Sequence, residues 1–391
     1  MDFTNLKNFM DYMAAEQNPG NAVVVFKDGR QVFRYAAGCS DLEKKTPMTG
    51  EEMFNIYSCS KIATVTAGVQ LLERGKFLLN DPLYEYIPEF KDMYIKTEEG
   101  NLVKAQKPIT IGDLFTMTAG FSYNFKTEGF QRARELTGGK MDTVETIRCI
   151  ASDPIYFEPG THWKYSICHD VLAAVISVIS GQKFRDYVKE NIFEPLNMTD
   201  SVYHHTEKTL KRTASQYLFV PNSGAQLDVV EAQMSGKEKL GTFQKIDKIN
   251  PHVLGEDYDS GGSGIITTLS DYEKLLAALA NNGTGLTGEK ILSKYAVDLM
   301  KMNRLTPELK KDFSGKQFAG CGYGLGVRTH ISPTGSGVMS NLGEFGWGGA
   351  AGATAIIDTE INLAVFFVQH TKNPRETFYQ PRLRNVVYSC L

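Results

Sequence analysis

Apolar and polar positions recur along this chain with a period that changes from region to region, and the changes divide it. From Met1 to Gln17, Phe3, Leu6, Phe9, Met10 and Met13 return every three to four residues among Asp2, Lys7, Asp11 and Glu16, which predicts an amphipathic helix. Ala22 to Phe26 and Gln31 to Tyr35 flank Lys27-Asp28-Gly29-Arg30, and an Asp-Gly step between apolar runs predicts a β-hairpin. Ile62, Val65, Val69 and Leu72 resume helical spacing in an amphipathic pattern and stop at Arg74-Gly75. Between about Asp81 and Gly255 the signal is mainly helical: Ile111 to Met117, Met141 to Ile150, Val171 to Ile179 and Phe184 to Ile192, broken at Pro154, Pro159-Gly160 and Pro195. Strand signals return at Gly322 to Thr329, Gly352 to Ile357 and Leu363 to Val368, and Pro381 to Tyr388 predicts a closing helix.

A helical region thus interrupts a strand-rich one. The pattern predicts an α+β protein whose antiparallel sheet is built from residues 1–80 and 256–391 and flanked by helices, with an inserted, mostly helical domain at 81–255. Within the insertion, 206–255 carries Lys208, Lys211, Lys237, Lys239, Lys245 and Lys248 and few periodic apolar positions. It reads as a solvated excursion, with a flap shaping substrate choice as the alternative. The helix starting near Ser58 falls where the two units meet, a usual place for a ligand cleft.

Composition narrows the function. The chain has 391 residues, 42% hydrophobic and 22% charged, enough for two core-bearing units. A net charge of −3 offers no electrostatic case for nucleic acid or an anionic membrane, which points to a small-molecule substrate. The first helix lacks the charged-then-apolar layout of a secretory signal, and no run reaches membrane-spanning length. Cys39, Cys59, Cys149, Cys168, Cys321 and Cys390 are scattered without paired spacing, so free thiols in a reducing, cytoplasmic setting are expected. Cys59 and Cys168 read as small buried hydrophobes rather than nucleophiles.

The chemistry begins at Ser58-Cys59-Ser60-Lys61. A serine and a lysine three apart share one helical turn, and at a helix start the dipole and unpaired N–H groups favour a developing oxyanion and disfavour a charged lysine, so that Lys61 can act as a base. The motif is short, and Ser180-Gly181-Gln182-Lys183 repeats it. There, Ser180 ends an apolar helix and Gly181 breaks the turn between hydroxyl and amine. Two further stretches stand out. Phe157 to Ser166 follows a Pro-Gly turn and sets Tyr165 at a loop-to-helix junction; Gly343 to Gly352 is too glycine-rich for an ordinary strand unless another backbone or a ligand approaches closely. Trp163 and Trp347 flank these stretches and suggest an aromatic-walled pocket. His169 and Asp170 are adjacent on a helix, diverge by about 100°, and do not suit a Ser-His-Asp triad. No G-x-S-x-G, H-E-x-x-H or Walker loop occurs, which leaves no case for a metal or nucleotide cofactor.

Taken in order, Ser58-Cys59-Ser60-Lys61, Tyr165-Ser166 with its following helix, and Gly346-Trp347-Gly348-Gly349 resemble the penicillin-recognising serine hydrolases: serine β-lactamases, D-alanyl-D-alanine peptidases and family VIII carboxylesterases. Pro108 to Gly120, Phe157 to Gly160, Glu194 to Met198 and Gly261 to Gly264 are similar to further segments of that family. The resemblance implies a β-lactamase/transpeptidase-like fold, with Ser58 as nucleophile, Lys61 as its base and Tyr165 as proton relay. It also implies an oxyanion hole from the N–H groups of Ser58 and Ala350, and a substrate wall at Trp347, Gly348 and Gly349. Two departures bear on the substrate. Ile167 stands where many members carry an asparagine, and Trp347-Gly348-Gly349 lacks the cation that recognises a β-lactam or peptide carboxylate. Together with Tyr165 to Asp170, these features look most like the family VIII esterases. The expectation is a hydrolase of small carboxylic esters. The alternatives are an acyltransferase to an alcohol or amine, a D-amino-acid peptidase, amidase or weak β-lactamase, and a non-catalytic scaffold. A homo-oligomer stays open.

Overall fold

A computed structural model describes residues 1–222 and 241–391; Lys237 and Lys239 of the polar excursion lie outside the described residues. The chain begins with helix α1 (Thr4–Glu16), then strands β1 (Gly20–Lys27) and β2 (Arg30–Asp41). Asp28 and Gly29 between them take φ of 53° and 76°, the left-handed pair that lets a two-residue turn match the twist of its strands. After β3 (Thr46–Pro47) and β4 (Phe54–Asn55) comes helix α2 (Ser60–Glu73). The middle of the chain holds a hairpin, β5 (Tyr94–Lys96) and β6 (Leu102–Lys104). Helices α3 (Ile111–Thr116), α4 (Glu128–Leu136), α5 (Thr143–Ile150), α6 (Cys168–Ser180), α7 (Phe184–Val188) and α8 (Glu207–Arg212) follow, then β7 (Gln216–Pro221) and β8 (Gly241–Ile246).

The last third supplies β9 (Ile266–Thr267), the helix Leu269–Ala280, β10 (Cys321–Tyr323), β11 (Arg328–His330) and β12 (Phe345–Gly346). It ends with β13 (Thr354–Asp358), β14 (Leu363–Gln369), β15 (Thr371–Lys372) and the C-terminal helix Glu376–Ser389. Strands from both ends of the chain form one antiparallel sheet in the order β10-β11-β12-β13-β14-β1-β2-β3.

Period-two alternation in the central strands gives the sheet two apolar faces. Val23, Val25, Val365 and Phe367 meet Leu6, Met10 and Met13 of α1 and Phe378, Leu383 and Val387 of the C-terminal helix. Ala22, Val24, Phe366 and Val368 point the other way, into a core that continues through Leu275 and Val65 to Phe115 and Leu172 of the middle block. The sheet and the helical block therefore share one apolar interior, with α2 between them.

Several local expectations change. α2 is not amphipathic: Ser60 through Leu71 are all buried, because the helix is enclosed by the sheet on one side and helices on the other. Gly322 to Thr329 is not one strand but β10 and β11 around a turn, where Gly324 N–H donates to Val327 O and Gly326 takes φ 72°. A Cβ on Gly326 would run into Val65 of α2 and stand 2.8 Å from His169 Cε1, so the turn exists to let the strands pass close over that helix. The C-terminal helix starts at Glu376 and contains Pro381 in its interior; the backbone bond lost there is offset by burying Phe378, Tyr379, Leu383 and Val387. The described parts of 206–255 are not simply solvated. Tyr217 and Phe219 alternate into the interior, and β7 pairs with both β8 and β15. Lys245 pairs with Asp41 and Glu43, and Lys248 donates to the carbonyls of Leu210 and Thr213, so these lysines tie the segment to the body.

Gly326→Ala should cost about 3 kcal/mol, because the side chain meets both a left-handed backbone and a filled space. Urea denaturation at equilibrium checks this through a lowered midpoint with an unchanged slope.

Candidate active site

Ser58 lies in a single 3-10 turn, Tyr57–Cys59, that runs straight into α2. Tyr57 before it holds φ 46°, costly for an aromatic residue, and is kept there by burial of its ring and by its hydroxyl donating to Gln216 Oε1 at 2.8 Å. Lys61 is fully buried one turn on. Its Nζ donates to Gly262 O at 2.7 Å, Tyr123 Oη at 2.9 Å and Ser58 Oγ at 3.3 Å. The Gly261–Ile265 turn that brings the Gly262 carbonyl is itself pinned to α2. Thr64 Oγ1 donates to Gly261 O at 2.6 Å, and Ile265 N–H donates to Ser60 Oγ at 2.9 Å. A Cβ on Gly262 would stand 2.7 Å from Asp170 Oδ2 and 3.3 Å from Lys61 Nζ, so only glycine lets the carbonyl come this close.

The opposite wall is the glycine-rich stretch after β12. The Cys59 thiol donates to Trp347 O at 3.4 Å, and a Cβ on Gly349 would collide with Ile56 O; the two backbones touch, which accounts for the glycine density there. The strand is held from behind by a buried ion pair. Arg328 grips Glu344 with two bonds of 2.9 and 2.5 Å, and Arg384 of the C-terminal helix lies 3.6 Å away. Despite its burial, the Glu344 carboxyl is held below its usual range by these two guanidinium groups. The result sets Ala350 beside Ser58, both lining one cavity of about 330 Å³.

That cavity is walled by Trp163, Tyr165, Phe318 and Trp347, with Gln317, Glu376 and Gln380 adding polar groups. Phe318 stacks on Trp347 at 5.3 Å, and Trp163 on Tyr165 at 6.2 Å. Tyr165 faces Lys61 with its ring, 4.7 Å from Nζ to the centroid, while its hydroxyl accepts the Trp347 indole N–H at 3.1 Å. The phenol bonded to Lys61 is instead that of Tyr123, which the sequence did not single out. Burial, with Tyr165 and Asp170 nearby, pushes the Tyr123 phenol well above its ordinary value, so it stays protonated. His252 stacks on Tyr123 at 5.7 Å; burial and the neighbouring Lys372 and Lys61 lower it to about 4, so its imidazole is neutral at physiological pH.

The other reactive groups stand apart. His169 is buried against the Phe115 carbonyl at 3.4 Å, and Asp170 accepts from Ser260 Oγ at 2.8 Å; neither has a hydrogen bond to Ser58. Burial raises the Cys59 thiol strongly and the Cys168 thiol to about 12, which keeps both unreactive. Gly181, left-handed at φ 70°, terminates α6 and separates Ser180 from Lys183. Among the described residues, no group of three or more His, Cys, Asp or Glu could hold a metal ion.

A serine and a buried lysine one turn apart, facing a close-packed glycine-rich segment across a sheet-and-helix interface, match the serine-hydrolase scaffold that the sequence resembles. The chain belongs to the Beta-lactamase family, whose model matches residues 6–388. It is 26% identical to Esterase EstB of Burkholderia gladioli over 364 residues, 90% of this chain and 86% of the relative. The structure of EstCE1, a hydrolase with promiscuous acyltransferase activity, superposes with a TM-score of 0.76 at 22% identity, over 98% of this chain and 97% of that one. Simvastatin synthase LovD from Aspergillus terreus, in its unliganded selenomethionyl form, gives a TM-score of 0.76 at 21% identity, with 98% and 97% covered. No helix among the described residues is long and apolar enough to cross a membrane.

Sequence reasoning missed Tyr123, Phe318, Glu376 and Gln380. Glu376 and Gln380 are four apart on one helix face, but Pro381 had masked that helix's start. Tyr123 and Phe318 sit in segments without a periodic signal.

Gly349→Ala should push the Trp347–Ala350 segment off Ile56 and, if Ser58 and Ala350 act together, lower kcat/KM by about a hundredfold, the usual effect of a displacement of about an ångström. Steady-state kinetics on a chromogenic ester, with circular dichroism confirming the fold, tests this.

Proposed function

We propose that the protein is a serine esterase that hydrolyses small carboxylic esters through an acyl-enzyme on Ser58. The observation that carries this reading is the 3.3 Å contact of Lys61 Nζ with Ser58 Oγ at the edge of an aromatic-walled cavity. In its unprotonated form Lys61 keeps two N–H donors for Gly262 O and Tyr123 Oη and turns its lone pair on Ser58, so that Ser58 Oγ attacks the ester carbonyl as its proton passes to the amine. The oxyanion is received by the N–H groups of Ser58 and Ala350. The C–O bond then breaks, and the alkoxide takes a proton through Tyr165 on the cavity wall. Water attacks the acyl-enzyme by the reverse path and releases the acid. Trp347, Gly348 and Gly349 shape the substrate wall.

Among the described residues, none that lines the cavity is a lysine or arginine, and Glu376 is acidic. A β-lactam or a peptide terminus brings a carboxylate that would meet that acid unpaired, which favours esters over these substrates. Acyl transfer to an alcohol is the second reading, favoured by EstCE1, which is described as a hydrolase with promiscuous acyltransferase activity.

The protein should release p-nitrophenol from p-nitrophenyl acetate and butyrate and show an acyl adduct by intact mass. Ser58→Ala should lose both, and retained turnover in that variant would overturn the reading. Tyr165→Phe should lower kcat by about 10²-fold or more as a proton donor is removed, and Tyr123→Phe by about tenfold as Lys61 loses a positioning contact. Equal effects of the two changes would reassign the proton donor.

A further inference from the structure

Among the described residues that line the cavity beside Ser58, Glu376 is the one acid and none is basic. Glu376 opens the C-terminal helix and Gln380 follows one turn later. Both reach over the Gly348 backbone: a Cβ there would stand 2.7 Å from Gln380 Nε2 and 3.7 Å from Glu376 Oε1. The carboxyl therefore hangs beside the strand that carries Ala350. Among the described residues nothing donates a hydrogen bond to it and no cation pairs with it. Burial pushes the carboxyl up to about 7. Its place in the first turn of the C-terminal helix favours the ionised form in turn, and a positive ligand would stabilise that form further.

The remaining walls suit the same ligand. The stacked pairs Phe318–Trp347 and Trp163–Tyr165 line the cavity with apolar ring surface, which keeps water from a charge pair formed at Glu376. A lone carboxyl among aromatic rings is a poor place for an anion and a good one for an ammonium group. We propose that the cavity selects esters or amides bearing an ammonium group, held by Glu376 against the Phe318–Trp347 wall. This rests on Ser58 being the nucleophile only in assigning the ligand as substrate; the cation site itself stands on the cavity.

Two matched pairs of esters test selection. p-Nitrophenyl 6-aminohexanoate against the heptanoate places the charge in the acyl half. Butyrylcholine against 3,3-dimethylbutyl butyrate places it in the alcohol half. In the wild-type protein the charged member of at least one pair should have the higher kcat/KM, by about tenfold, and that ratio should collapse towards one in Glu376→Gln. Binding is read independently, because Trp163 and Trp347 are the chain's 2 tryptophans and both line the cavity, so their fluorescence reports its occupancy.

Hexyltrimethylammonium, which does not titrate, should bind about tenfold more tightly at pH 8 than at pH 6, as a carboxyl near 7 loses its proton between them. Hexanol should bind without this dependence, and Glu376→Gln should abolish it. Cys59 and Tyr379 flank Glu376, and burial holds both far above this range; Tyr165 lines the same cavity and Lys61 lies behind Ser58, and the Glu376→Gln profile separates their contribution. Ratios near one with turnover of the neutral esters intact would overturn the inference and leave the esterase reading standing. Absence of turnover and adduct on every ester would overturn the esterase reading, and the fluorescence titration would then decide the cation site by itself.

Discussion

A lysine amine removed from water must find acceptors inside the protein, and the fold is assembled around that requirement at Lys61. Its partners come from three places in the chain: Ser58 on the preceding turn, Tyr123 from the segment after α3, and the Gly262 carbonyl from the turn before β9. None of these segments satisfies the amine alone. The helical block and the turn that returns the chain to the sheet must both dock on α2 before Lys61 is paired. That same docking sets Ser58 at the edge of a cavity.

Close backbone approach is the second condition. Gly262 lets a carbonyl reach Lys61, Gly326 lets the β10–β11 turn cross α2, and Gly349 lets the substrate strand rest on Ile56. A side chain at any of these positions would enter filled space, against side chains at Gly262 and Gly326 and against the Ile56 backbone at Gly349, so the glycines mark where the chain packs closely rather than where it bends freely. The Arg328–Glu344 pair, with Arg384 behind it, fixes the strand carrying Trp347 to the C-terminal helix. A buried pair of this kind gives little net stability but is costly to break, and so it fixes geometry.

A fold does not by itself fix the chemistry it hosts, and here the lining of one cavity carries the evidence about the ligand. Among the described residues, that cavity is lined by aromatic rings and one carboxyl, with no lysine or arginine to pair with a carboxylate. The C-terminal helix supplies that carboxyl, so the charge of the cavity comes from an element far in sequence from the Ser58–Lys61 turn.

Ser58 and Lys61 were legible because they lie on one helical turn, where spacing alone brings side chains together. The hairpin at Asp28-Gly29, the central strands and most helices were legible for the same local reason. Tyr165 was found as a cavity residue, but the direction of its hydroxyl was not, since the Trp347 indole that claims it is 182 residues away in sequence. The polar look of 206–255 hid Tyr217 and Phe219, whose burial depends on a partner strand from the C-terminus. Pro381 hid the start of the last helix and with it Glu376 and Gln380. The sequence by itself thus determined the elements and the serine–lysine turn, because these follow from periods of two and about 3.6 residues. Only the tertiary structure decided which phenol meets the amine and what charge the cavity carries, because those contacts join residues that no local period relates.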